Sequence, residues 1–221
     1  MLEPQVPDHL SEWAENSLET GENILATSNQ GTILLFQDGD VEFVIKTAMG
    51  SGVARRTRQA TLMRECAAYA RLAGVQGVPK CYGLVAGRYL VLEYVHGTKY
   101  RRAEIADRDA WFNELLEIIR EIHARGVSHG DLKSKSNLLV TEDGRPCVMD
   151  FGTTVIWKEG FHPFNNRMFE YLKQLDLNAW VKHKYHGRYE DVSEQDKQLL
   201  DYSLAESLLR KYRKYRKWRN R

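Results

Sequence analysis

Polar and apolar positions alternate with a period near two over residues 24–46, and turn chemistry breaks the run twice. Ile24–Thr27, Thr32–Phe36 and Val41–Lys46 read as three short strands, separated by Ser28-Asn29-Gln30-Gly31 and Gln37-Asp38-Gly39-Asp40. Asp38-Gly39 is a strong hairpin signal, because glycine adopts the positive φ that tight primed turns require. The period then changes. Leu62, Cys66, Tyr69 and Ala73 are spaced for one face of a helix over about Arg55–Leu72, with Gly74 as its stop. A turn and a short strand fall in 77–87, and Arg88 to Val95 reads as a buried strand running out at Gly97. A second helix over about Asp109–Arg125 puts Phe112, Leu115, Leu116, Ile119 and Ile122 on one face and ends at Gly126. Residues 138–140 and 146–150 form a small hairpin across Glu142-Asp143-Gly144-Arg145, and from about Phe164 the pattern is helical in two or three segments.

Strands, one helix and more strands therefore precede a mostly helical second half. This order predicts an α+β protein of two lobes in a single domain over residues 1–221: a small β-rich first lobe with one helix (about 20–96), a reduced helical second lobe (about 97–205) and a basic tail (about 208–221). A hinge near Glu93 to Gly97 would leave a ligand cleft between the lobes. Composition adds limits more than identity. An apolar content of 43% suffices for a substantial core, while a formal charge of +2 is too small to name a partner. Cys66, Cys81 and Cys147 are scattered without paired spacing, which argues against a disulfide framework or zinc site and for a reducing compartment. The first residues are acidic and polar, and no apolar run approaches the roughly 20 residues of a membrane span, so a cytoplasmic location without a transmembrane segment is expected.

Two segments carry chemistry. Val127-Ser128-His129-Gly130-Asp131-Leu132-Lys133-Ser134-Lys135-Ser136-Asn137-Leu138-Leu139 is followed by Val148-Met149-Asp150-Phe151-Gly152, so two short apolar strands each deliver an aspartate. Such a pair suits ATP and magnesium: one carboxylate orients an attacking hydroxyl, an amide helps hold metal, and the second carboxylate bridges magnesium to phosphates. The pair resembles the catalytic and metal loops of the protein kinase-like superfamily, with His-Gly-Asp where His-Arg-Asp is common.

The resemblance implies roles. Asp131 would orient the acceptor hydroxyl, Lys133 would neutralise the transferred phosphate, and Asp150 with Asn137 would bind magnesium. Lys46, ending the strand Val44-Ile45-Lys46, would contact nucleotide phosphates, and Glu65, nineteen residues on, would pair with it. Glu93 to Val95 would offer backbone groups to adenine, Leu25, Val44, Leu139 and Met149 would sandwich the base, and Gly31 would belong to the phosphate-covering loop. His129 is expected to brace backbone. Two features depart from the ordinary pattern. Asn137 follows Asp131 by six residues instead of five, which leaves Ser136 in the usual slot, and the phosphate-covering loop has Gly31 alone in place of three glycines.

After Gly152 no Ala-Pro-Glu-like element appears, which makes an extended peptide a less expected acceptor. The chain is similar to small atypical kinases: bacterial lipopolysaccharide-core (Kdo or heptose) kinases first, through His-Gly-Asp-Leu-Lys and Asp176-Leu177-Asn178-Ala179-Trp180-Val181-Lys182, with the RIO and KEOPS kinases as relatives. The expectation is phosphorylation of a core-sugar hydroxyl, with an atypical Ser/Thr protein kinase, possible on itself, or a catalytically weak ATP-binding scaffold as alternatives. In the tail, Leu208, Tyr212, Tyr215 and Trp218 share one helical side among dense Arg and Lys. That pattern suits an anionic membrane, here the inner face of a bacterial inner membrane, or RNA, or a solvated basic end. Arg55, Arg56 and Arg58, and Lys99 with Arg101 and Arg102, either extend a positive rim around the cleft or are solvated faces.

Overall fold

The computed structural model of the protein describes residues 4–27, 31–48 and 52–201. Its first lobe is built on β1 (Ile24–Thr27), β2 (Gly31–Asp38), β3 (Val41–Ala48), β4 (Cys81–Val85) and β5 (Tyr89–Glu93), which form one antiparallel sheet in the order β1-β2-β3-β5-β4. The expected strands are present, and the β2–β3 pair runs two residues further, to Ala48. Alternation sorts the side chains of β3: Phe43 and Ile45 are fully buried on one face, while Val44 and Lys46 turn to the other.

Each face of this sheet has its own helix. Phe43, Ile45, Phe36 and Val91 pack with Leu10 and Ala14 of α1 (Leu10–Thr20), and the Trp13 ring meets Phe36 edge-on at 4.9 Å. This helix adds to the one expected for the lobe. On the opposite face Leu90 and Leu92 join Leu62, Ala68 and Tyr69 of α2 (Gly52–Arg71) in a cluster that continues into the second lobe. One strand, β5, thus supplies both cores, with Tyr89 and Val91 pointing one way and Leu90 and Leu92 the other.

Residues 94–96 cross between lobes without regular structure. Beyond them β6 (Gly97–Lys99) pairs with β8 (Leu138–Thr141), which pairs with β9 (Pro146–Val148), and a short β7 (Val127–Ser128) pairs with β10 (Val155–Ile156). α3 (Arg108–Ala124) starts where the Asp107 side chain accepts a hydrogen bond from Ala110 N at 2.9 Å; its buried Phe112, Leu115, Leu116, Ile119 and Ile122 are the predicted apolar stripe, and Trp111 and Ile118 are buried beside them. α4 (Pro163–Lys184) packs against it: the Trp180 indole Nε1 donates to Phe112 O at 2.7 Å. The short α5 (Glu194–Lys197) follows. No helix among the described residues is long and apolar enough to cross a membrane, and the basic aromatic segment 208–221 lies outside those residues.

Candidate active site

Because β3 alternates, Lys46 leaves the sheet on the cleft side, where α2 brings Glu65 and the segment after β9 brings Asp150. Lys46 Nζ donates to Glu65 Oε1 at 2.6 Å and to Asp150 Oδ1 at 2.9 Å, tying both lobes to one ammonium. Burial favours the neutral amine, but the two carboxylates outweigh it and hold the Lys46 pKa above its ordinary value. Glu65 is only 4% exposed, and burial pushes its pKa upward against the pull of Lys46. On half-exposed Asp150 burial works upward too, yet the Lys46 charge prevails and lowers its pKa. These three residues line a cavity of about 150 Å³ with Gly31 and Thr32. Gly31 is required by close approach: a Cβ there would stand 1.8 Å from Thr47 O.

The catalytic loop is fastened from below. Asp176 of α4, 1% exposed, accepts from His129 N at 2.8 Å and Gly130 N at 2.9 Å, with His123 Nε2 at 3.1 Å from the same carboxylate. Thr153 Oγ1 donates to His129 O at 2.9 Å and Thr154 Oγ1 to Ser128 O at 2.5 Å. Gly130 has φ +80°, and a Cβ on it would meet Leu172 Cδ1 at 3.0 Å and Thr153 O at 3.1 Å. Glycine follows His129 here because the backbone turns left-handed against α4. His129 braces as expected: its Nε2 lies 2.9 Å from Met149 O, and its Nδ1 accepts from Asp131 N at 3.2 Å.

Asp131 and Asn137 meet. Asn137 Nδ2 donates to Asp131 O at 3.0 Å and to Asp131 Oδ2 at 3.2 Å, while its backbone accepts from Met149 N at 2.9 Å. Of the two candidate ligands, Asn137 is the one turned inward; Ser136 is exposed, with its hydroxyl on Asn137 Oδ1 at 3.1 Å. The additional loop residue is absorbed by a single 3₁₀ turn over Lys135–Asn137. Exposed Lys133 lines, with Asp131, a cavity of about 250 Å³ floored by Tyr171, Leu175 and Lys182 of α4. Asp150 itself sits at φ +68°, costly for a residue with a Cβ, and its amide donates to the Tyr69 hydroxyl at 3.2 Å. Phe151, fully buried, packs between the rings of Tyr69 (5.0 Å) and His129 (4.9 Å), so α2, the metal loop and the catalytic loop share one apolar column.

The donor set suits magnesium. Asp150 and Asn137 supply carboxylate and amide oxygens, hard donors of the kind magnesium takes alongside phosphates and water. Among the described residues no three His, Cys, Asp or Glu form a cage of their own.

The adenine side is assembled less completely. Val44 lies on the cleft face of β3, two residues before Lys46; Leu139 is buried on β8 and Met149 directly precedes Asp150. Leu25 is 47% exposed on β1. Glu93 braces the hinge: its amide donates to Lys80 O and its carboxylate accepts from Lys80 N, both at 2.9 Å, with Val95 two residues on in the unstructured crossing. Sequence reasoning missed Tyr69 as a hydrogen-bond partner, Thr153, Thr154 and the clamp by Asp176. An aspartate inside the apolar periodicity of a helix was the available signal.

A family model described as protein kinase domain matches residues 30–200. CBL-interacting protein kinase 16 of Oryza sativa subsp. japonica is 32% identical over 110 residues, covering 47% of this chain and 23% of that protein. CBL-interacting serine/threonine-protein kinase 21 of Arabidopsis thaliana is 28% identical over 139 residues, covering 60% and 32%. Cyclin-dependent kinase F-1 of Oryza sativa subsp. japonica is 33% identical over 99 residues, covering 41% and 19%. The matched segments span about a third or less of these relatives.

Proposed function

The chain belongs to the protein kinase domain family, and from that premise we propose that it transfers the terminal phosphoryl group of ATP to a serine or threonine hydroxyl of a protein, its own chain included. The observation that carries this reading is the single ammonium of Lys46 held by Glu65 and Asp150, opposite an Asp131 carboxylate hydrogen-bonded to Asn137. Phosphoryl transfer asks mainly for positioning and charge compensation. Lys46 neutralises phosphate oxygens, and Asp150 with Asn137 would hold a magnesium ion that supplies further neutralisation when bound. Asp131 accepts the proton of the attacking hydroxyl through a hydrogen bond, and Lys133 at the mouth of the same cavity offsets charge on the transferred group.

The acceptor is the point on which the similar proteins weigh. Two of those named above are protein kinases by name, one of them a serine/threonine-protein kinase, and the third is a cyclin-dependent kinase, which favours a protein hydroxyl over the lipopolysaccharide-core sugar expected from the sequence. A screen with γ-labelled ATP over serine and threonine peptides, the chain itself and purified core lipid tests the reading. Label on peptide or chain that disappears in Asp131→Ala and Asp150→Ala supports it. Label on core lipid alone restores the sugar acceptor, and tight magnesium-dependent ATP binding without label on any acceptor leaves a scaffold.

A further inference from the structure

β6 ends on Lys99, and the turn beyond it carries Arg101 and Arg102. Ser134, Lys135 and Ser136 of the loop after Asp131 face them across a pocket of about 590 Å³. Its lining is four cations and two hydroxyl side chains. All four cations are exposed, and none of them pairs with a carboxylate among the described residues. Four other surface arginines do meet carboxylates: Arg120 with Glu117, Arg125 with Glu121, Arg145 with Glu114 and Arg188 with Asp191. Lys135 is stationed over the Tyr100 ring at 5.7 Å.

This pocket is separate from the nucleotide-phosphate cavity, with which it shares no residue. It is joined instead to the acceptor side. Ser134 N donates to Asp131 O at 3.1 Å, Ser136 Oγ reaches Asn137 Oδ1 at 3.1 Å, and Asn137 Nδ2 reaches Asp131 Oδ2 at 3.2 Å. An extended polypeptide advances about 3.3 Å per residue, so a chain with its hydroxyl at Asp131 passes this loop within a few residues. Resting on the kinase reading above, we propose that Lys99, Arg101, Arg102 and Lys135 form a selectivity pocket for an oxyanion carried by the acceptor polypeptide close to the phosphorylated hydroxyl. Arginine's planar fork matches phosphate and carboxylate, and a dianionic phosphate engages several such cations at once.

The test uses the full chain and peptides with one acceptor serine flanked by serine, phosphoserine, aspartate or arginine. The phosphoserine peptide should exceed the serine peptide by about tenfold in kcat/KM, through KM, which is the effect of one charge-assisted hydrogen bond. Aspartate should fall between and arginine below. Arg102→Glu with Lys135→Glu should erase the preference while leaving turnover of the serine peptide within about twofold, and added salt should weaken it. Fluorescence anisotropy of the same peptides, with the acceptor serine replaced by alanine, reads the pocket without catalysis. Absence of all turnover with phosphopeptide-selective binding intact would sink the kinase reading and keep the pocket. Equal binding of phosphorylated and unphosphorylated peptides, discrimination that survives the double reversal, or stronger binding of an RNA oligonucleotide that displaces the phosphopeptide would each overturn the pocket.

Discussion

Asp176→Ala removes a carboxylate that no substrate touches, and its effect can be worked from the hydrogen bonds it makes. The side chain is 1% exposed and serves His129 N, Gly130 N and His123 Nε2 at 2.8, 2.9 and 3.1 Å. A hydrogen bond to a charged group is worth about 1.5–3 kcal/mol, and a buried donor left alone costs about 1–3 kcal/mol. Three donors would sum above that, but water entering the space and small loop shifts recover part, so a net loss of about 3–5 kcal/mol is expected. Domains hold about 5–15 kcal/mol in total, so the loss is large. Urea unfolding followed by the fluorescence of the five tryptophans measures it, provided the slope m is unchanged. Asp176→Asn keeps one acceptor but turns an NH₂ toward a backbone N–H, so it should recover less than half of the loss. A loss below about 1 kcal/mol for Asp176→Ala would refute the clamp.

Three further outcomes follow from the same geometry. Lys46→Met should cut phosphoryl transfer by about a hundredfold or more, measured with labelled ATP, because the one cation shared by Glu65 and Asp150 is gone. Gly31→Ala should cost about 1–3 kcal/mol and weaken ATP binding, read together by thermal shift with and without nucleotide, since the new Cβ would lie 1.8 Å from Thr47 O. His183, whose Nε2 lies 2.9 Å from Leu132 O, has its pKa lowered to about 4 by burial first, then by Lys182, Lys135 and Arg108. A base whose folded pKa is depressed is protonated first in the unfolded chain, so its contribution is complete above pH 6.5 and is lost as pH falls toward 4. About 2 kcal/mol should vanish between pH 7 and pH 5, and urea unfolding of His183→Gln should lack that part of the pH slope.

Legibility in the sequence followed local signals. β2 and β3 were readable because Asp38-Gly39 fixes their turn and Phe43 and Ile45 alternate with Val44 and Lys46; α3 was readable because its stripe is uninterrupted. α1 was overlooked although Leu10, Trp13, Ala14 and Ser17 fall on one face, because few strong apolar residues mark it and His9 offers no capping hydrogen bond. The spacing of Lys46, Glu65, Asp131 and Asp150 was visible, but that one ammonium bridges two lobes is a tertiary fact. In the sequence Arg101 and Arg102 read equally as a positive rim or a solvated face, because the placement of Ser134 and Lys135 across from them is set by tertiary structure.

The same helix that holds His129 and Gly130 also floors the cavity lined by Asp131 and Lys133, which on the kinase reading proposed above couples acceptor selection to catalysis. Asp176 turns inward from α4 to His129 and Gly130, while Tyr171, Leu175 and Lys182 face the cavity shared with Asp131 and Lys133. Only ten residues, 153–162, separate Gly152 from the start of α4 at Pro163. Two of these, Thr153 and Thr154, are already hydrogen-bonded to His129 and Ser128. Few residues therefore lie between Gly152 and α4, and on the reading proposed above an acceptor would meet the floor of α4 on one side and the basic turn after β6 on the other. On that reading the Asp176 clamp would set the position of Asp131 before an acceptor arrives.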